Sequence, residues 1–164
     1  MKRCIFIGQA MPRVKRDPYD WPSLNLWLSS IGISKDQIRE NFLYSALVNY
    51  FPGALNGSHK VPTKVEIEKE RKRLVSTIKN FKPEIVVPIG KLSISYCLEE
   101  KVEKLNDYIG KTYNANPYKV LGSETLIIPL PHPSGASTWR HKPENKVLLN
   151  KALEFLKTNL SSNL

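Results

Sequence analysis

Four apolar runs, each followed by a helix-forming stretch, constrain this chain more than any other feature. They are Cys4 to Ile7, Phe42 to Val48, Glu84 to Ile89 and Thr125 to Pro129. Each is short, rich in aliphatic or aromatic residues and bounded by Gly, Pro or polar positions, so each reads as a buried strand. Strands that alternate with helices run parallel, because a crossover helix returns the chain to the edge it left. The expected fold is therefore α/β. It is one three-layer α/β/α domain over residues 1–160, with a central, mostly parallel four-stranded sheet and a frayed tail at 161–164.

Local signals place the helices. Pro22 suits a first turn, and Leu24, Leu26, Trp27, Leu28 and Ile31 give that helix an apolar face that Gly32 closes. Ser34 with Gln37 and Thr63 with Glu66 are capping-box pairs. The second pair opens a long charged helix whose inward face is expected to be Val65, Ile67, Leu74 and Ile78. Its charge run from Glu66 to Arg73 reads as a solvated face. Residues Lys91 to Glu99 resume as helix. A last helix follows Pro143, with Val147, Leu148, Ala152, Phe155 and Leu156 inward. Asn49 to Pro62 and Lys101 to Tyr118 read as irregular.

A chain of 164 residues suffices for one core. No apolar run approaches the roughly 20 residues of a membrane span. Met1-Lys2-Arg3 precedes only a short apolar run, so no signal peptide and a cytoplasmic location are expected. The formal charge of +10 and pI near 9.6 favour a polyanionic partner, nucleic acid most simply. Cys4 and Cys97 sit in no CxxC pair, which leaves no zinc or disulfide signature. No Walker-type or GxGxxG loop follows a strand, which removes support for an ordinary nucleotide-binding enzyme.

Loops after the carboxyl ends of parallel strands are where such sheets bind ligands. Three of them converge here: Gln9 to Trp21, Asn49 to Pro62, and Pro131 to His141. The first holds a basic patch (Arg13, Lys15, Arg16) and an aromatic between acids, Asp17-Pro18-Tyr19-Asp20. The last is the most specific, because prolines on both sides fix the backbone of His132. Its Ser134-Gly135-Ala136-Ser137 run offers amides and hydroxyls to phosphate, and Trp139 and Arg140 add an apolar wedge and a cation.

These residues resemble the uracil-DNA glycosylase superfamily, most closely the branch whose best-known members carry an iron–sulfur cluster. Ile7-Gly8-Gln9-Ala10 stands where that branch has G-E-A-P-G. Pro18-Tyr19 through Leu26-Trp27 is similar to its P-F-V-G-x-A-G-x-L-L segment, and Phe42 to Gly53 to its second strand and Pro-Gly turn. Thr63-x-x-Glu66, Lys82 to Val87 and Ile89-Gly90 match a helix and strand. His132-Pro133-Ser134 matches H-P-S, and the resemblance spans roughly residues 4 to 156.

The resemblance implies a monofunctional DNA glycosylase, acting as a monomer, that flips a deaminated base, uracil foremost, out of DNA and hydrolyses its N-glycosidic bond. It implies that Tyr19 stacks on the base and that the backbone at Ala10 and the side chain of Ser45 read its polar edge. His132 would stabilise the departing base, Asp17 or Asp20 would serve the sugar or the water, and Ser134, Ser137, Trp139 and Arg140 would hold the DNA. Two departures stand out. The two cysteines do not have ligand spacing, so no cluster and no other cofactor is expected. Gln9 replaces the water-activating Glu and can orient water without taking its proton. That leaves a second expectation, a catalytically weak or inactive relative that binds lesions.

Overall fold

The computed structural model describes residues 1–14, 17–55, 58–134 and 138–161. Its central sheet has five strands rather than four. They are β1 (Cys4–Ala10), β2 (Phe42–Val48), β5 (Ile85–Pro88), β6 (Tyr113–Ala115) and β7 (Thr125–Ile127), in the order β2-β1-β5-β7-β6. β1 pairs in parallel with β2 and β5, and β5 with β7; only β6 is antiparallel, against β7. The fifth strand lies within the stretch expected to be irregular. β6 is three residues long on a sheet edge and never fully buried, so it carries no apolar run that sequence patterning could register. A short hairpin, β3 (Ala54–Leu55) with β4 (Ser58–His59), likewise interrupts the loop after β2.

Alternation along β1 divides the core. Cys4 and Phe6 join one apolar cluster with Leu24, Leu28, Leu149 and Leu156. Ile5 and Ile7 join another with Ile67, Leu74, Ile78 and Cys97. The first is covered by α1 (Pro22–Ser30), α2 (Lys35–Asn41) and α5 (Pro143–Leu160). The second is covered by α3 (Lys64–Phe81), and α4 (Lys91–Leu98) contributes to both. Both capping boxes form as their residues dictate, Ser34 with Gln37 and Thr63 with Glu66. Three positions assigned inward are instead exposed, Leu26, Val65 and Val147. Val65 lies in the first turn of its helix, and Leu26 and Val147 fall on the outer side of theirs, so each satisfies the apolar pattern without being buried.

β1 runs to Ala10, past the expected stop at Gly8. A Cβ on Gly8 would lie 2.9 Å from the Trp21 indole, so glycine here admits a ring rather than ending a strand. Beyond β7, the amides of Ile128 and Leu130 still donate to Val86 and Pro88 across the sheet, while Pro129 and Pro131 have none to give. The chain therefore leaves the sheet at Pro131 and delivers His132 to the carboxyl edge. The strand order reverses direction between β1 and β5, which is the crevice where open α/β sheets bind ligands. Among the described residues, no helix is long and apolar enough to cross a membrane.

Candidate active site

A cavity of about 220 Å³ opens at that edge, lined by Ala10, Met11, Pro12, Pro18, Asp20, Trp21, Pro22, Tyr44, Ser45 and His132. It is smaller than the roughly 300–1,000 Å³ of drug-sized pockets, a scale suited to one flat heterocycle. A larger hollow of about 620 Å³ lies among Lys2, Arg3, Lys79 and Lys82 at the opposite edge of the sheet and holds none of the candidate site residues. Its Arg3 is already committed to the carbonyls of Phe81 and Lys82 and to Glu84.

Two rings form the walls of the small cavity. Trp21 packs over Gly8, with its ring centroid 6.1 Å from that of Tyr44 at 85° and 6.1 Å from that of His132. The Tyr44 hydroxyl donates to Asn25 Oδ1 at 2.6 Å, and burial holds this phenol well above its ordinary pKa, so it stays neutral. His132 is exposed between two buried prolines. The Ser134 amide donates to its Nδ1 at 3.1 Å. An imidazole nitrogen that accepts carries no hydrogen, so this bond leaves Nε2 as the ring nitrogen that can carry a proton.

The sequence-derived residues divide sharply. Ala10, Asp20, Ser45 and His132 line the cavity. Gln9 is half-buried in β1 and does not. Tyr19 also stands outside it, with its hydroxyl donating to the Phe42 carbonyl at 3.0 Å and its ring edge-on to Tyr44. Asp17 accepts the Tyr19 amide at 2.8 Å and pairs with Arg39 at 2.6 Å. Ser45, though on the cavity wall, accepts a hydrogen bond from Arg73 of α3 at 3.2 Å.

Trp139 is not a loose wedge. Its indole donates to Asn106, which bonds buried Asn145, which in turn donates to the Trp139 carbonyl at 2.7 Å. Arg140 donates to the carbonyls of Pro133 and Ser134 at 2.8 and 2.9 Å, stapling the loop that carries His132. Ser137 lies outside the described residues, as do Lys15 and Arg16 of the basic patch and residues 162–164 of the tail. Trp21 and Tyr44 are the wall residues that motif matching passed over. The signal for Trp21 was its place three residues after Pro18, in the segment compared with a family motif that has glycine there.

Cys4 and Cys97 are buried in different apolar clusters on opposite faces of the sheet. Burial pushes the Cys97 thiol up to about 12 and Cys4 well above its ordinary value, so neither is a ready thiolate. These two residues do not fit an iron–sulfur cluster. Among the described residues, no three His, Cys, Asp or Glu side chains converge as metal ligands.

The cavity brings two aromatic rings, an imidazole and one carboxylate together at the carboxyl edge of the sheet. A family model described as the Uracil DNA glycosylase superfamily matches residues 2–157. The chain belongs to that superfamily, which supports a DNA glycosylase type of function with DNA as its substrate. A comparison with curated proteins finds no significant match.

The two aspartates give a first prediction. Asp17→Asn keeps the oxygen that accepts the Tyr19 amide and weakens an ion pair with an exposed arginine. Melting temperature and base-release rate should both stay close to wild type. Asp20→Asn removes the carboxylate at the cavity mouth and should slow release by about 10-fold or more. Parallel single-turnover assays check both.

Proposed function

We propose that the chain is a monofunctional DNA glycosylase that receives a deaminated base, uracil foremost, in the cavity between Trp21, Tyr44 and His132. Extrusion of a base costs a few kcal/mol, least for a mispaired or damaged one, and this favours lesions before any pocket contact is made. The base stacks against Trp21, which shields that ring face from water, and the backbone at Ala10 and Met11 meets its polar edge. Breaking the bond from sugar C1′ to the base nitrogen leaves the bonding electrons on the base as an anion. The His132 Nε2–H donates to that growing charge, and such a preorganised donor is typically worth about 3–4 kcal/mol. Asp20 faces the opposite charge, the cationic sugar, and takes the proton of the water that adds to C1′. Cytoplasmic location and action as a monomer belong to the same proposal.

The observation that carries this reading is the Ser134 amide on His132 Nδ1, which sets the ring as an Nε2 donor at the mouth of a base-sized slot. The test is base release from oligonucleotides carrying uracil, hypoxanthine, xanthine or mismatched thymine, in single and double strands, read as alkali-labile breaks. Release from at least one substrate is expected. Binding should weaken as salt rises, with log K falling linearly against log salt as lysines and arginines displace phosphate counterions.

Gln9 motivates a second reading, a lesion-binding relative with little catalysis, because glutamine accepts no proton from water. Tight, salt-sensitive binding with no base released from any substrate favours that reading and sinks the first.

A further inference from the structure

The charge run on α3, expected to be a solvated face, turns inward in part. Glu66, Glu70 and Arg73 stand at i, i+4 and i+7, one stripe of the helix, and each grips the carboxyl end of β2 or the turn after it. The Tyr50 hydroxyl donates to Glu66 at 2.7 Å, and the Asn49 amide donates to Glu70 Oε1 at 2.6 Å. Arg73 donates to Ser45 Oγ at 3.2 Å and to the Ala46 carbonyl at 2.7 Å. The gripped segment then reaches the cavity twice. Ser45 lines it directly, and the Tyr50 carbonyl accepts the amide of Met11, a second lining residue, at 3.2 Å.

We propose that Glu70 and Arg73 are positioning residues that hold the β2 wall and the β1 rim of the cavity in register for base release. The role in base release rests on the glycosylase reading; the holding of wall and rim does not.

Stability alone is a poor reason for this arrangement. The Arg73 side chain is 27% exposed and Glu70 22%, and Arg73 Nε is buried without a hydrogen-bond partner, 3.6 Å from Glu70. A pair desolvated to this degree and imperfectly bonded is commonly no better for folding than apolar residues of the same size. What an apolar pair cannot do is fix a hydroxyl, a strand carbonyl and a turn amide at once. The arginine fork is suited to the hydroxyl and the carbonyl, where lysine, a single point charge, is not, and Glu70 accepts the amide.

The test uses the full chain with Arg73→Met, Glu70→Ala and Glu70→Gln. Each variant is followed by amide hydrogen exchange at Met11 and Asn49 and by base-release kinetics. Arg73→Met and Glu70→Ala should each speed exchange at Met11 by about 10-fold or more, with Ile5 and Ile7 unchanged. They should lower kcat by about 10- to 100-fold with KM little altered, the cost of a misplaced reacting group. Glu70→Gln keeps an acceptor for Asn49 and should recover most of the loss. Wild-type exchange at Met11 in either folded variant overturns the proposal. Faster exchange with unchanged kcat also overturns it, reducing the pair to a structural contact. Should one variant fail to fold, the other decides. Should wild type release no base, the glycosylase reading falls by itself and exchange at Met11 alone judges the pair.

Discussion

His132→Ala is expected to slow base release by about 10²–10³-fold while the protein stays folded, the range measured when one preorganised donor is removed from a developing anion. The fold should tolerate it because the ring is exposed and water can replace it as acceptor for the Ser134 amide. The loop keeps its shape by other means. Pro131 and Pro133 are buried, and Arg140 holds the carbonyls of Pro133 and Ser134. The loss should therefore fall on the chemical step rather than on DNA affinity. Single-turnover rates at saturating enzyme separate the two, and a variant rate within threefold of wild type sinks the donor role. His132→Asn, which can present an amide N–H from a similar place, should retain more activity than alanine.

The parallel sheet was legible because β1, β2, β5 and β7 are buried on both faces and read as apolar runs without alternation. β6 was not, since a three-residue edge strand follows from pairing with β7 and not from its own composition. His132 was legible for a related reason. Prolines that end a strand advertise the residue between them whatever the rest of the fold does. The roles of Tyr19 and Trp21 could not be told apart in the same way. Both are aromatic, two residues apart in one loop, and what separates them is a distant choice. The Tyr19 hydroxyl reaches the Phe42 carbonyl at the start of β2, while the indole finds the space left by Gly8. Arg73 is the same lesson on a helix. Sign alternation marks a charged stripe but does not say which turn faces the sheet, and only the carbonyls at the end of β2 decide it.

Trp21→Ala should lower kcat/KM by roughly 5- to 150-fold, the kinetic equivalent of the 1–3 kcal/mol that stacking one base on an aromatic ring contributes. The indole is the wall that faces both Tyr44 and His132, so its loss widens the slot and removes the surface that sets the base at the right height for the imidazole. Most of the effect should appear in KM, because stacking is similar before and after the bond breaks. Trp21→Phe should keep most of the activity. Tyr19→Phe is the informative control. It deletes the hydroxyl that bonds the Phe42 carbonyl but leaves the cavity wall untouched, so it should lower the melting temperature with kcat/KM unchanged. Assays run well below the melting temperature of every variant keep the two effects apart. The opposite pattern, activity lost in Tyr19→Ala but kept in Trp21→Ala, would return the stacking role to Tyr19. It would also mean that the loop from Asp17 to Trp21 rearranges when DNA binds.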